Sequence, residues 1–169
     1  MYPLIESAHV LTLCLFVGLA SILDLRLMGW VMRSVPVSRI VSRYMPFMQV
    51  GFAVMFVTGA LLFYAIPVRS YQSVWFRLKV IMLILAGLNA WLFHARPYQT
   101  VHVWDADPVP PRAARLAGGF SLLFWALVIV SGRFIAYSWF DCPNPLLHTT
   151  QPPFVMWAAG CADEAVGGN

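Results

Sequence analysis

Four long apolar runs, separated by short connections that hold most of the arginines, fill most of this 169-residue chain. A helix needs roughly 20 apolar residues to cross hydrocarbon. Four segments reach that length, at about 4–30, 45–66, 74–95 and 114–140. Only 11% of the residues are charged, against roughly 25% in a soluble domain, so the chain could not cover itself with a polar surface. The expected fold is all-α: an integral membrane, antiparallel four-helix bundle over residues 1–140, followed by a tail over 141–169. The length leaves room for one bundle and no separate soluble domain. The N-terminus lacks the basic start of a secretory signal, and its apolar stretch exceeds the ~7–15 residues of a signal core. It is expected to stay as the first helix.

Pro36, Pro67, Pro97 and the cluster from Pro108 to Pro111 fall in the connections, where a missing amide donor does least harm. The net charge of +4 comes largely from arginines between the runs. They read as topology signals and headgroup contacts, and no basic face is left over for nucleic acid. Connections one and three hold Arg33, Arg39, Arg43, Arg96, Arg112 and Arg115, connection two and its helix mouth hold Arg69, Arg77 and Lys79, and the tail holds neither Lys nor Arg. This bias predicts a bacterial inner-membrane protein with both termini periplasmic. Glycines and alanines such as Gly18, Ala20, Gly59, Gly87, Gly118, Gly119 and Gly132 are expected to allow close helix packing.

Ionisable side chains inside hydrocarbon are costly and usually face a bundle interior, a cavity or a cofactor. In the first helix Glu6, His9, Leu13, Val17, Ala20 and Asp24 share a sector of roughly 80°, with Arg26 pointing the opposite way to snorkel toward headgroups. In the third, Lys79, Leu83, Ala86, Ala90 and His94 share a similar sector, and Asn89 lies off it. In the fourth, Arg115 and Arg133 lie on one line. Parallel first and third helices put His9 and His94 about 22 Å apart in depth, too far to ligate one metal within a protomer.

The stripe therefore separates into two clusters. The outer one holds Glu6, His9, Arg77, Lys79 and Arg133, with His148 within reach from the tail. The inner one holds Asp24, His94 and Arg96, with Met45 or Met48 nearby. An imidazole beside several cations suits a b-type haem, with His9 as metal ligand and propionates on Arg or Lys, and it equally suits a quinone headgroup. A structural ion pair of Glu6 with Lys79 or Arg133, and an interfacial His94 beside Arg96, are the plainer alternatives.

Of three cysteines, Cys14 falls off the polar stripe and reads as a buried small hydrophobe. Cys142 and Cys161 flank the tail and are expected to form a disulfide if the tail is periplasmic. His102, Asp105 and Asp107 match no firm metal motif and read as a solvated loop. No Gly-rich phosphate loop, G-x-S-x-G, H-E-x-x-H, C-x-x-C or C-x-x-C-H occurs, so any haem would be non-covalent and the chain is not expected to be an enzyme on its own.

Three stretches, HVLTLCLFVGLASILDLRLMG, GFAVMFVTGALLFYA and FRLKVIMLILAGLNAWLFH, resemble a family of uncharacterised bacterial four-helix inner-membrane proteins, and more distantly the copper-resistance D type. The resemblance covers about residues 5–96 and includes His9, His94, the Asp24-x-Arg26 pair and the Arg77-x-Lys79 pair. It implies an architecture rather than a reaction. Its distant arm implies copper handling, against which stands the lack of a Met-rich or Cys-rich relay across the bundle. Three functions follow as expectations. The first is a small electron-transfer subunit holding haem or quinone through His9. The second is a non-catalytic accessory subunit of a larger complex, and the third a small metal or solute permease. Lipid and other membrane or periplasmic subunits are the expected partners.

Overall fold

The computed structural model describes residues 2–65, 67, 70 and 73–137. Its four long helices are α1 (Tyr2–Leu27), α2 (Val37–Ala65), α3 (Val74–Ala95) and α4 (Arg112–Tyr137). Each contains a stretch long and apolar enough to cross a membrane. Large apolar side chains such as Leu4, Leu11, Phe56 and Trp91 stand exposed at 65–72% along them. Exposed apolar faces of this extent mark a surface made for something other than water. The tail, with His148, Cys142 and Cys161, lies outside the described residues.

The helix ends differ from expectation for identifiable reasons. α1 stops at Leu27, short of residue 30, because Gly29 adopts φ +75°. The Gly29 amide then donates to the Arg26 carbonyl at 3.0 Å and the Trp30 amide to Leu25 at 3.0 Å. These two bonds make a Schellman cap, which needs a left-handed residue at that position. α2 begins at Val37, well before residue 45. Its first turns are amphipathic, with Val37, Ile40 and Val41 buried and Arg39, Ser42 and Arg43 exposed, so a count of continuous apolar residues passes over them. Pro46 sits inside this helix and removes one amide donor from its ladder. α3 matches its expected bounds, with the Ser73 hydroxyl accepting from the Phe76 amide at 3.4 Å as an N-cap.

Connection three leaves His102 and Asp107 exposed, as expected, but it is ordered around Trp104 and the half-buried Asp105. It forms a 3₁₀ turn at Pro97–Thr100 and a single helical turn at Val101–Trp104. Trp104 is buried with Leu27, Ile40, Phe93 and Ala114 in a core at this end of the bundle, the loop end. Asp105 caps α2 from outside: the Ser38 amide donates to its Oδ1 at 2.7 Å and the Ser38 hydroxyl to its Oδ2 at 2.5 Å. Arg26 is fully buried rather than snorkelling. Its guanidinium donates to the carbonyls of Val35 at 2.8 Å, Asp107 at 3.1 Å and Asp105 at 3.5 Å, tying connection one to connection three. The helix count aimed Arg26 away from Asp24 correctly, but the two connections fold over that side and supply acceptors there.

α1 packs against α2 and α4, and α3 packs against α4. α2 and α3, although consecutive, barely touch. A second core at mid-bundle joins Phe16, Met55, Ala86, Trp125 and Val128, with the Phe16 and Trp125 rings edge-on at 4.8 Å. The α1–α4 crossing depends on Gly118, where an added Cβ would lie 2.8 Å from the Asp24 carbonyl oxygen. Gly18, Gly87 and Gly119 meet nothing within 4 Å, so they do not serve close packing. Cys14 is exposed on α1, where a buried position was expected, because it falls on the same side of the helix as Val10 and Leu11, which are exposed too.

Candidate ligand cavity

Because α2 and α3 are splayed, a cavity of about 760 Å³ lies between them, floored by α1 and α4. Its walls are mostly aromatic and aliphatic. A stripe on α2 (Met45, Met48, Phe52, Met55, Gly59, Phe63) faces Phe76, Leu83, Ala86 and Phe93 on α3. Near the end where α1 begins, the N-terminal end, Phe63 and Phe76 stack at 5.3 Å and bridge the cleft. At the loop end it is closed by the core in which Val41 of α2 and Phe93 of α3 both take part.

Two polar stations line this cavity. The one nearer the N-terminal end is His9 with Lys79. His9 Nδ1 lies 3.0 Å from Thr58 Oγ1, and that hydroxyl donates to the Val54 carbonyl at 2.7 Å. The Thr58 proton is thus committed, so His9 donates through Nδ1 and its Nε2 carries a lone pair. Gly59 makes room for the ring, since a Cβ there would lie 3.2 Å from His9 Cε1. Lys79 reaches across to α4, its Nζ 3.8 Å from where a Gly132 Cβ would stand.

The station nearer the loop end is Asp24, Asn89 and Ser121, with His94 beyond it. Asp24 is 5% exposed, has the Ser121 hydroxyl beside it, and its Oδ2 has no hydrogen-bond partner. Asn89 Nδ2 donates to the Ala117 carbonyl of α4 at 2.9 Å. His94 donates through Nδ1 to the Ala90 carbonyl at 2.9 Å, leaving Nε2 as an acceptor. Ser121 and Gly132 mark the two stations on α4, and eleven residues of helix put them about 16 Å apart.

Of the described residues of the expected outer cluster, His9 and Lys79 line the cavity. Glu6 and Arg133 are exposed and Arg77 is half-buried; none of the three lines it. No ion pair joins Glu6 to Lys79. Of the inner cluster, Asp24 and His94 line the cavity together with Met45 and Met48, while Arg96 is exposed at the end of α3. Asn89, expected off the face, lies on it, because α3 leans on α4 and shows the cavity a wider sector than its stripe. Thr58 and Ser121 were passed over. Both sit at helical spacing from small or apolar residues of one face, and that spacing is the signal that marks them. Among the described residues, no three His, Cys, Asp or Glu side chains gather as metal ligands. Arg112 and Arg115 lie elsewhere, on a groove between α4 and the start of connection one at Met28 and Trp30.

These features define a class: a small bundle of four helices with the composition and surface of a multi-pass membrane protein, holding an apolar cavity with a few fixed polar side chains. The chain belongs to the DUF6644 family of unknown function, whose model matches residues 2–138 and so takes in all four helices. No curated protein and no solved structure matches it.

Proposed function

We propose that this protein is a small bacterial inner-membrane subunit of an electron-transfer system that binds a lipid-soluble quinone in the α2–α3 cleft. The observation that carries the reading is His9, its Nδ1 held at Thr58, on the same apolar cavity as Lys79. A cavity of several hundred Å³, apolar with a few convergent polar groups, is the usual form of a small-molecule site. The Lys79 ammonium donates to a quinone carbonyl, and His9 Nε2 accepts from a quinol hydroxyl. The ring and isoprenoid tail lie against Phe52, Phe56 and Phe76. The arginine bias puts both termini outside, so this station lies in the outer half of the bilayer. A b-type haem is the weaker fit. His9 can ligate iron, but only Lys79 among the expected outer cations lines the cavity for the propionates.

The test is solvent extraction of protein purified in mild detergent, with chromatography for quinones and a pyridine haemochrome assay for haem. Wild type is expected to carry or take up about one quinone, lost in His9→Ala and reduced in Lys79→Ala. A protein that neither carries nor takes up quinone would sink the reading and leave the accessory-subunit role in its place. A permease draws support from the same unfilled interior, lined by both Asp24 and His94. Uptake into vesicles that depends on Asp24 and His94 but not on His9 would favour it.

A further inference from the structure

We propose that the loop-end station of the cleft is a second binding site, for a lipid-soluble organic cation whose charged group pairs with the Asp24 carboxylate. The proposal rests on the geometry around Asp24 and is independent of the quinone reading. Asp24 is 95% buried, as its 5% exposure implies; it lines the cavity, and its buried Oδ2 has no hydrogen-bond partner. A buried carboxyl with an unmet oxygen is costly as the anion unless a positive group meets it, and otherwise it holds a proton that such a group would displace.

Among the described residues no cationic side chain is seen to meet Asp24 at this station. Arg26, two residues on, points to the far side of α1, where its guanidinium is engaged with the carbonyls of Val35, Asp105 and Asp107. Lys79 belongs to the other station, about 16 Å away along the bundle. The remaining polar atoms are acceptors or can act as such. The Ser121 hydroxyl donates to Asp24 and keeps only lone pairs for a ligand, and the Asn89 amide nitrogen is taken by Ala117, which leaves its carbonyl oxygen as an acceptor.

The walls decide which kind of cation fits. Calcium takes six to eight oxygen ligands and magnesium an octahedral shell. Here one carboxylate, one hydroxyl and one amide oxygen are surrounded by carbon, and no acidic or histidine cluster of three gathers among the described residues. The cavity wall includes Phe93, Trp125, Met45 and Met48. Aromatic faces attract a cation through their quadrupoles, and methionine adapts to irregular apolar shapes. A charged centre with apolar substituents satisfies both the carboxylate and the walls. A small hydrated ion satisfies only the first.

The experiment uses the full chain in lipid nanodiscs and radiolabelled tetraphenylphosphonium as the probe. Saturable binding at about one per chain is expected, weakened about 30-fold or more by Asp24→Asn, the scale for removing one partner of a buried charge pair. His9→Ala should bind the probe as wild type does, which separates this site from the quinone station. A neutral tetraphenyl analogue should not compete. If Asp24→Asn fails to fold, wild type alone gives the answer. Dicyclohexylcarbodiimide should label Asp24, as mapped by mass spectrometry, and the phosphonium should protect it. Equal binding by Asp24→Asn, no saturable binding by wild type, or labelling of Asp24 unaffected by the cation would each overturn the proposal.

Discussion

The hydroxyl of Thr58 sets the state of His9, since it hands its own proton to the Val54 carbonyl and accepts from the imidazole. Removing it should free the ring while leaving the fold nearly intact. Thr58→Val is expected to cost about 1 kcal/mol, the usual net worth of one such bond, and to lower quinone retention severalfold. Gly59→Ala should act on the same ring by crowding, because its Cβ would stand 3.2 Å from His9 Cε1. Melting temperature and extracted quinone, measured on both variants, check the pair; full retention in both would mean that His9 orientation is irrelevant to binding. At this scale the sequence was legible where a residue type was rare. A histidine, a lysine and an aspartate inside apolar helices announce themselves, and His9, Lys79, Asp24 and His94 all line the cavity. It was illegible where partners decided the outcome. Glu6, Arg77 and Arg133 share the N-terminal end of the bundle with His9 but do not line the cavity, since a helical wheel gives a direction and not the neighbour found there.

Helix ends show the same division between what a segment carries and what meets it. The apolar runs declared four helices, and α3 kept its bounds because Ser73 and Pro97 punctuate it from within. α2 took its start from a residue in another connection: the Asp105 carboxylate accepts from the Ser38 amide and hydroxyl. No local pattern around Pro36 or Val37 points to it. Asp105→Ala should therefore destabilise the protein by about 1–2 kcal/mol, the range for losing a helix cap. The damage should appear at the first turns of α2 rather than at the cavity. Hydrogen exchange at Val37 to Val41, compared with that at Gly59 to Phe63, reads the difference. Equal protection throughout in Asp105→Ala would show that Pro36 and the buried Val37 hold the turn by themselves. Arg26 strengthens the same junction, binding carbonyls of both connections from a fully buried position.

For the whole molecule, the governing fact is that two consecutive helices stand apart. In an up-and-down bundle α2 and α3 would ordinarily close the ring, and here the α1–α2 and α3–α4 pairs are joined mainly through α1 and α4. The gap leaves interior volume that packing energy would otherwise fill, and cores are generally filled to crystal-like density. Volume kept open in this way is expected to be occupied by a ligand in use. Gly87 tests that directly: it lines the cavity and an added Cβ there meets nothing within 4 Å. Gly87→Leu should leave the melting temperature unchanged or raised, since leucine favours a helix interior over glycine by up to about 1 kcal/mol and gains wall contacts. The same side chain should exclude ligand, cutting quinone retention and phosphonium binding together although neither Asp24 nor His9 is altered. A stable Gly87→Leu protein that held both ligands as wild type does would place their sites outside the cleft, and the splayed helices would then need a partner chain to account for them.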